Sequence, residues 1–501
     1  MGDYLGMDCG VYATIDLDKK PVFPMLYWGM RAQNHRGHQS HGFLTYNGQF
    51  HIYKGLDLIP KIKRNNVKSW LAKLPGHIGI ANVRYTTSGR TNHEALQKGT
   101  QPIIAEKDDV KIAISFNGNV VNTRQLKEEI RKVFPGFSYE CDAELICRKL
   151  LIEFTKRRDL VSAVKACMEE IEGAFSVSGI TNKGEFFAFK DPYGIRPLCA
   201  GHNRDGRVYA FSSESVGLNI NDLILDFEIE PGEFVLVSED GLKREKLVGN
   251  RKAFCAFEFA YFARPDSRFD DKYVYEVREE FGRNLARENQ DIVKDADLIV
   301  SMPETGDDAA YGLHEETGLR WERATRRHRF VTERAFILLP NERYKTIDKK
   351  INILAEKVRG KKVIIVDDSI VRGDTTRVVV EKLRRMGAKK VYVFITFPRI
   401  IGPCFYGIDM ATYGELIGSK HTPEEIAKIV GADAVRYQSI ESFVRATGMR
   451  RDELCLGCVT RNYPTPLAQQ LANKMYKWFL KGYKETGRIY ETADLSLCSK
   501  R

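Results

Sequence analysis

The sequence lacks any long hydrophobic run. No stretch approaches the ~20 apolar residues that span a bilayer, and the N-terminal MGDYLGMDCG has neither a basic region nor an apolar core of the kind that directs secretion. These absences predict a cytoplasmic protein with no membrane partner. Internal repeats and low-complexity segments are also missing, since the 40 glycines and 17 prolines are scattered. This composition favours a folded enzyme over a flexible binding tail.

A block of one charge is likewise missing. The 78 basic and 67 acidic residues are interspersed, although they sum to a formal net charge of +11. The charge pattern therefore indicates an anionic small-molecule substrate and no nucleic-acid partner. At 501 residues the chain is too long for one ordinary core, and two large domains fit best.

The first half has the pattern of an α+β domain, predicted over residues 9–240. Its apolar runs are short and β-rich, as in GVYATIDL, FLTYNGQFHIYKG, GHIGIANVRY, KIAISFNGNVV and EFFAFKD. Two helical stretches interrupt them, TRQLKEEIRKVF and AELICRKLLIEFTKRRDLVSAVKACMEEI. This pattern predicts sheet-on-sheet packing with helical layers.

The second half alternates strands and helices, which predicts a doubly wound α/β domain over residues 275–440. A helix at VYEVREEFGRNLARE precedes strands at ADLIVSMPE and KKVIIVDD, a helix at TTRVVVEKLRRMG and a strand at KKVYVFITFP. The domain boundary is expected between 240 and 275, and residues 441–501 form a C-terminal helical segment. In such a sheet, ligands bind at the carboxyl ends of the strands.

The segment KKVIIVDDSIVRGDTTR carries the strongest functional signal. An apolar strand over 363–366 ends in Asp367 and Asp368, which could face a ribose. Residues suited to a terminal phosphate then enter a helix, namely Arg372, Gly373, Asp374, Thr375 and Thr376. The alternative is an ordinary strand–turn–helix connection, but two adjacent carboxylates after a buried strand are costly without a cation or ligand. The segment resembles the phosphoribosyl pyrophosphate loop of type I phosphoribosyltransferases.

Two further residues could serve the same site. Thr305 lies at another strand end, in SMPETGDDAA, and Lys350 lies in the polar segment ERYKTIDKKIN, which could fold over a leaving pyrophosphate. For Lys350, the sequence by itself favours a plain surface lysine.

Cys9 is the candidate nucleophile of the first half. A lone cysteine near an N-terminus is ordinarily a small buried hydrophobe. If cleavage after Asp8 exposed Cys9, its own α-amino group, with a pKa of about 8, could act as the general base at neutral pH. One residue would then be both nucleophile and base.

Motifs along nearly the whole chain carry a family resemblance. The segments CGV, NHRGHQSHG, GIANVRYTTSG, FNGNVVN and CDAE occur in the order seen in class II glutamine amidotransferases. Together with DDSIVRG, DPYGIRPL, YFARPDS and CFYGID, they resemble the glutamine phosphoribosylpyrophosphate amidotransferase family, in its iron-sulfur branch. The resemblance implies an N-terminal-nucleophile glutaminase domain followed by a type I phosphoribosyltransferase domain.

The resemblance implies a role for each motif residue. Cys9 would be the nucleophile, Asn117 and Gly118 the oxyanion donors, Arg84 the partner of the glutamine α-carboxylate and Asp142 the partner of its α-ammonium. The chemistry is consistent, because two N–H donors can stabilise a developing oxyanion and a guanidinium can hold a carboxylate with two hydrogen bonds.

The chain departs from the usual family pattern at a few positions. Relatives usually show QHRGQESAG and GHVRYSTAG, where this chain has His38, Gln39 and His41 in the first segment and Asn82 in the second. Asp374 also stands where Thr is usual in glutamine-using relatives. Its carboxylate would repel a phosphate, so we expect it to point outward.

Ten cysteines in a reducing compartment are not expected to form disulfides. The C-x-x-C pair Cys455 and Cys458 could be redox-active, zinc-binding or simply buried. The resemblance adds Cys255 and Cys404, and four thiolates imply a [4Fe-4S] cluster, with tetrahedral zinc as the alternative. The remaining cysteines are expected to be structural: Cys141, Cys147, Cys167, Cys199 and Cys498.

The predicted reaction forms 5-phosphoribosylamine, glutamate and pyrophosphate, the first committed step of purine synthesis. The resemblance implies Mg²⁺ at Thr305, Asp367 and Asp368, inhibition by purine nucleotides, and a homotetramer. Another class II enzyme, a glucosamine-6-phosphate or asparagine synthase, would share the first half but not the DDSIVRG strand end. The second alternative is a non-catalytic or ammonia-only paralogue that binds phosphoribosyl pyrophosphate or nucleotides.

Overall fold

A computed structural model of the chain describes residues 9–85, 93–249, 251–328, 348–484 and 499–500. The first half contains thirteen strands: β1 (Gly10–Asp16), β2 (Ser40–Tyr46), β3 (Phe50–Leu56), β4 (Ile78–Arg84), β5 (Ile103–Lys107), β6 (Val110–Val120), β7 (Gly173–Thr181), β8 (Phe186–Lys190), β9 (Cys199–His202), β10 (Val208–Ser212), β11 (Ile224–Glu228), β12 (Glu233–Ser238) and β13 (Gly241–Lys246). Its helices are α1 (Phe23–Ala32), α2 (Val67–Lys73), α3 (His93–Lys98), α4 (Thr123–Val133), α5 (Asp142–Arg157), α6 (Leu160–Glu170) and α7 (Ser215–Asn219).

These strands form two antiparallel sheets that pack face to face. The first has the order β11-β9-β10-β1-β4-β2-β3, and the second has the order β13-β12-β8-β7-β6-β5. Alternate residues of β1, β4, β6 and β8 point into the space between the sheets and form one core. The outer face of the first sheet packs on α1, and that of the second packs on α4, α5 and α6. The predicted layered α+β domain is confirmed.

Two details differ from the sequence prediction. The long second helical stretch is in fact α5 and α6, because Arg158 adopts a left-handed φ of 56° and the Asp159 carboxylate caps α6 by accepting a hydrogen bond from Ser162 N at 2.8 Å. Helix α1 was not predicted. It buries Leu26 and Met30 against the first sheet, and its ten residues hold too few turns for a strong periodic signal.

The second half is built on a parallel sheet. Its strands are β14 (Phe254–Cys255), β15 (Arg268–Phe269), β16 (Lys272–Tyr273), β17 (Leu298–Ser301), β18 (Thr325–Arg327), β19 (Ile351–Ile353), β20 (Lys362–Asp367), β21 (Lys390–Ile395), β22 (Ala434–Tyr437), β23 (Leu454–Cys455), β24 (Tyr483–Lys484) and β25 (Ser499–Lys500). Its α-helices are α8 (Val274–Glu288), α9 (Gln290–Asp295), α10 (Asp307–Thr317), α11 (Ala355–Val358), α12 (Asp374–Arg385), α13 (Ile417–Lys420), α14 (Pro423–Val430), α15 (Ile440–Thr447), α16 (Gly457–Thr460) and α17 (Pro466–Leu480).

The main sheet has the order β17-β20-β21-β22, with every neighbouring pair parallel. One face packs on α12 and α14 and the other on α8 and α10, so apolar residues of β20 alternate between two cores. This is the predicted doubly wound arrangement, and it is confirmed. The carboxyl end of β20 places Asp367 at one edge of the sheet.

A separate core joins the two halves. It contains the segment 253–263, residues from 397–410 and the C-terminal helix α17, and it reaches Tyr85, Val121 and Ile195 of the first half. Strand β14 pairs with β23 in parallel, which aligns Cys255 with Cys455. Within the residues that the structure describes, no helix combines the length and apolarity needed to cross a membrane.

Candidate active sites

Cys9 lies at the entry of β1, the central strand of the first sheet. Only 5% of the residue is exposed, and its thiol Sγ is 3.9 Å from the carbonyl oxygen of Tyr85. The guanidinium Nε of Arg36 donates to the Cys9 carbonyl at 3.2 Å. The thiol and the backbone carbonyl of Cys9 therefore each have a contact. The predicted cleavage after Asp8 falls in residues 1–8, outside the described residues.

Asn117 and Gly118 lie near the end of β6, on the sheet that faces β1. Asn117 is 0% exposed, and among the described residues neither its side-chain nitrogen nor its side-chain oxygen has a hydrogen-bond partner. Leaving a buried amide unpaired costs about 1–3 kcal/mol, so such a group is expected where a ligand will meet it. Gly118 has a φ of +146°, and a Cβ there would lie 1.9 Å from the carbonyl oxygen of Ala174. Only glycine fits.

Arg84 and Asp142 lie in the same region of the first half. Asp142 is the first residue of α5, is 0% exposed, and accepts hydrogen bonds from Val120 N at 2.9 Å and from the Tyr139 hydroxyl at 2.6 Å. Burial raises the pKa of Cys141, which directly precedes Asp142, to about 11, and the guanidinium of Arg84 opposes that increase. Arg84 ends β4 and is 3% exposed, so both predicted glutamine-binding side chains are buried within the first half.

The positions that depart from the family pattern have structural roles in this fold. His41 is 2% exposed, its Nδ1 lies 2.9 Å from the Asp57 carbonyl, and burial lowers its pKa, which favours the neutral imidazole. The backbone N–H of Gln39 donates to the Arg84 carbonyl at 3.0 Å, while His38 is half-buried beside it. Asn82 donates its Nδ2 hydrogen to the Phe116 carbonyl at 3.2 Å.

A buried ion network next to Cys9 was not predicted. Arg36 is 1% exposed and contacts Glu214 at 2.6 Å and Glu258 at 2.7 Å, and Glu258 also contacts Arg196 at 3.2 Å. His35 lies 2.7 Å from Glu214. The quoted segment NHRGHQSHG contains Arg36, but its acidic partners are 178 and 222 residues away in sequence, so no local pattern could have found them.

The second site lies at the carboxyl end of β20. Asp367 and Asp368 are 2% and 1% exposed, and Asp368 accepts hydrogen bonds from the hydroxyls of Thr305 and Ser369, each at 2.6 Å. Burial raises the pKa of Asp368, whereas the two hydroxyls and the nearby Arg278 lower it. The strand ends of β17 and β20 therefore meet, as predicted, and place Thr305 against the acidic pair.

Helix α12 begins directly after this loop. Gly373 precedes it with a φ of +86°, and Thr375 and Thr376 are 2% and 6% exposed at its first turn. The side chain of Asp374 is 40% exposed and lies 3.9 Å from Arg377, so it points outward as expected. Arg372 forms an ion pair with Glu415.

The favoured interpretation of Lys350 as a surface residue is wrong. Lys350 is only 9% exposed, and its carbonyl accepts a hydrogen bond from His328 N at 2.9 Å, which closes the pair of strands β18 and β19. Thr325 of β18 donates to the carbonyl of Ser301, at the end of β17. The sequence could not show this burial, because the lysine is covered by strands that pair only in the fold.

The four predicted cluster cysteines are all buried, with exposed fractions between 6% and 9%. Burial raises the pKa of Cys455 to about 12 and that of Cys458 well above its ordinary value, and neighbouring thiols, including Cys404, add to both increases. Tyr406 N donates to Cys404 Sγ at 3.3 Å. Among the residues that the structure describes, no three His, Cys, Asp or Glu side chains converge closely enough to hold one metal ion.

Four other cysteines pack in the cores of the first half, with 0–5% exposure: Cys141, Cys147, Cys167 and Cys199. Cys498 falls outside the described residues.

A cavity of about 270 Å³ lies between the two sites. Its lining includes His35 from the first half and Thr305 from the second, with Tyr261 and Phe262 between them. His35 precedes Arg36, which contacts Cys9, and Thr305 contacts Asp368. The cavity therefore borders residues one contact away from each site.

The chain is similar to known proteins in family, sequence and structure. A family model described as "Glutamine amidotransferase domain" matches residues 89–219. Proteins named amidophosphoribosyltransferase are similar to nearly the whole chain. The protein from Methanocaldococcus jannaschii is 36% identical over 474 residues, covering 91% of this chain and 98% of the relative, and that from Bacillus subtilis is 33% identical, covering 93% and 96%.

Solved structures give the same result. The glutamine phosphoribosylpyrophosphate amidotransferase from Bacillus subtilis, complexed with ADP and GMP, superimposes with a TM-score of 0.81 at 32% identity. The match covers 92% of this chain and 98% of that one. A second structure, titled as the allosteric regulatory enzyme of purine biosynthesis, also gives 0.81 at 32% identity and covers 97% of its own chain.

Proposed function

The chain belongs to the amidophosphoribosyltransferase family, and on this premise we propose how its own residues carry out the reaction. The reaction transfers the side-chain amide nitrogen of glutamine to C1 of phosphoribosyl pyrophosphate, in the first step of purine synthesis. One observation carries the proposal. A single chain holds a buried thiol and an unpaired buried amide in its first half, and a pair of buried carboxylates at a strand end in its second.

In the first half, the α-amino group of Cys9 takes the proton of the Cys9 thiol. The resulting thiolate attacks the carboxamide carbon of glutamine. The Asn117 side chain and the Gly118 backbone N–H stabilise the oxyanion of the tetrahedral intermediate. The C–N bond breaks, ammonia leaves with the proton returned by the α-ammonium group, and water then hydrolyses the thioester to glutamate. Arg84 and Asp142 hold the α-carboxylate and the α-ammonium of the substrate.

In the second half, the lone pair of ammonia forms the new bond to C1 while the bond from C1 to the pyrophosphate oxygen breaks. Asp367 and Asp368 hold the ribose hydroxyls, and the first turn of α12, with Thr375 and Thr376, binds the 5-phosphate through backbone N–H groups. Lys350 and Arg372 are proposed to bind the pyrophosphate group.

The cavity between the sites offers a route for ammonia. Its lining includes His35 and Thr305, with apolar Tyr261, Phe262 and Ala263 and charged Arg264, Arg278 and Glu304 between them.

Magnesium fits the acidic strand end. Thr305, Asp367 and Asp368 would hold the ion, since they supply oxygen ligands and since burial raises the pKa of Asp368, a cost that a cation would remove. When bound, Mg²⁺ would neutralise charge on the departing pyrophosphate.

A [4Fe-4S] cluster fits the four buried thiols Cys255, Cys404, Cys455 and Cys458. The four thiolates would hold the cluster. Strand pairing places Cys255 beside Cys455, and Cys404, Cys455 and Cys255 add to the increase that burial causes in the pKa of Cys458. When bound, the cluster would link the segment between the two halves to the C-terminal segment.

Iron and sulfide analysis of anaerobically purified protein tests this proposal. We expect ~4 iron and ~4 sulfide per chain, the content of one cubane cluster. Cys404→Ala should lose them, whereas Cys167→Ala, in the core of the first half, should keep them. One zinc per chain, or no metal, would contradict the cluster.

Purine nucleotides are proposed as inhibitors, because the Bacillus subtilis relative is described as complexed with ADP and GMP. A homotetramer is proposed from the family resemblance, and mass-resolved gel filtration would test it.

Two assays test the proposed reaction. The intact mass should show the loss of residues 1–8, and glutamine with phosphoribosyl pyrophosphate should release pyrophosphate. Cys9→Ala should abolish the glutamine-dependent reaction and keep the ammonia-dependent one, while Asp368→Asn should abolish both. An unprocessed Met1 terminus together with ammonia-only activity would favour the paralogue alternative, in which the first half is no glutaminase.

A further inference from the structure

We propose that Asn82 and Gln101 are positioning residues. Their side chains hydrogen-bond the backbone of Phe116, an arrangement called the clamp below, and thereby orient the oxyanion donors Asn117 and Gly118. The inference rests on the proposed glutaminase function. It concerns the point at which the two sheets of the first half are joined by side-chain hydrogen bonds, close to Asn117.

The clamp is centred on the backbone of Phe116. The Asn82 side chain donates from Nδ2 to the Phe116 carbonyl at 3.2 Å, and Gln101 donates from Nε2 to the same oxygen at 3.1 Å. Gln101 also accepts the Phe116 N–H with its Oε1 at 2.7 Å. All of these groups are buried, with exposed fractions of 0–3%. At positions buried in this way, each bond constrains orientation strongly.

Gln101 is needed because strand pairing stops there. Strand β5 pairs with β6 from Lys107 back to Ile103, opposite Ile114, so the strand pairing ends two residues before Phe116. Among the described residues, Phe116 therefore has no backbone partner on that edge of β6. The Gln101 carboxamide replaces it, because one primary amide can donate and accept like a peptide group.

Asn82 adds a constraint from the opposite sheet. It lies on β4, paired with Val11 of β1 and Gly42 of β2, so its position is fixed by both neighbouring strands. Its hydrogen bond to Phe116 ties the sheet that carries Cys9 to the sheet that carries Asn117. The side-chain amide of Asn82 thereby sets the distance between the nucleophile Cys9 and the oxyanion donor Asn117.

The clamped peptide leads directly into the donors. The Phe116 carbonyl belongs to the peptide group whose nitrogen is that of Asn117, so its orientation fixes the start of the Asn117 side chain. In the described part of the chain, that side chain has no hydrogen-bond partner of its own. The orientation of a side chain without partners depends on its backbone. A misplacement of about 1 Å in a catalytic group can lower the rate ~100-fold.

The test compares Asn82→Ala with Asn82→His in glutamine-dependent turnover. We expect the alanine variant to lose about ten-fold in kcat with little change in the KM for glutamine, because the donors serve the transition state and not the bound substrate. The histidine variant should recover most of the activity, since an imidazole N–H can also donate to a carbonyl.

Two readouts separate positioning from general damage. Alkylation of Cys9 by iodoacetamide builds no oxyanion, so its rate should stay at the wild-type value in Asn82→Ala, as should the ammonia-dependent reaction. The matched control is Asn182→Ala, which removes a side-chain amide that binds the far end of β6, where Asn182 Oδ1 accepts from Lys111 N at 3.0 Å. This control should leave glutamine turnover unchanged.

The outcomes are distinguishable. An alanine variant with unchanged kcat, a change confined to KM, or a parallel loss of alkylation and ammonia-dependent activity would overturn the positioning role. A wild-type protein that consumes no glutamine would instead overturn the proposed glutaminase function.

Discussion

Asn117 is the residue whose environment most clearly calls for a ligand. Its amide is fully buried, yet it forms no hydrogen bond within the described residues. A structural asparagine in a sheet core would satisfy its amide with neighbouring backbone, as Asn122 does by accepting from Glu172 N at 2.9 Å and donating to the Glu170 carbonyl at 2.8 Å. The contrast between these two residues of one sequence segment supports a catalytic role for the first.

Asn117→Ala should lower kcat for glutamine hydrolysis by about 100-fold to 1,000-fold, the usual effect of removing one oxyanion donor. The KM for glutamine should change little, because the donor acts on charge that develops only in the transition state. Steady-state kinetics of glutamate release measures both. An equal loss in the ammonia-dependent reaction would show that the variant damages the fold instead.

At the level of elements, strand β6 determines the geometry of the first site. Its central residues pair with β7 from Ile112 to Val120 without interruption. Near the end of the strand, Gly118 lets the backbone approach Ala174 more closely than any side chain allows. The close approach keeps the two strands paired up to the point where the oxyanion donors lie.

Gly118→Ala should abolish glutamine turnover and lower the thermal midpoint of the protein, because the new Cβ would lie 1.9 Å from the Ala174 carbonyl oxygen and must force β6 and β7 apart. The matched control is Gly48→Ala. Gly48 also has a positive φ, of +102°, but nothing lies within 4 Å of its Cβ position. It should cost only about 1–2 kcal/mol of backbone strain. Similar behaviour of the two variants in thermal unfolding would contradict this explanation.

At the level of the whole molecule, the buried network of Arg36, Glu214, Glu258 and Arg196 ties the glutaminase half to the segment that leads into the second half. Glu214 also accepts hydrogen bonds from Arg264 N at 2.9 Å and from the Ser267 hydroxyl at 2.5 Å. Breaking one member leaves a buried charge without its partner, which is more costly than the loss of a surface pair.

This network predicts that the stability it contributes, between the glutaminase half and the segment that follows, is lost in acid. Burial raises the pKa of Glu214, but His35 and Arg36 outweigh burial and hold the pKa well below its ordinary value of 4.5. A lowered carboxylate pKa contributes stability that is complete above the unfolded pKa and is lost as the pH falls toward the folded pKa. Glu214→Gln should therefore destabilise the protein by about 3 kcal/mol at neutral pH, and the difference from wild type should shrink below about pH 4.5.

Thermal unfolding at a series of pH values measures this dependence. Glu94→Gln is the control, because Glu94 forms an exposed pair with Lys98, whose side chains are 76% and 58% exposed. Such pairs contribute little to stability. A Glu214 effect that stays constant down to pH 3 would show that the ionised carboxylate is not the stabilising group.

The sequence by itself determined the two fold classes and both sets of candidate site residues. Apolar periodicity and strand ends followed by acidic residues act over a few residues, so Asp367 and Asp368 could be found without a fold, while Asn117 followed from the resemblance to the family. Only the tertiary structure decided which distant groups meet. The partners of Arg36, the burial of Lys350 and the clamp that Asn82 and Gln101 place on Phe116 all join segments separated by tens or hundreds of residues. Such contacts arise from the packing of two sheets and two halves, which leaves no local pattern in the chain.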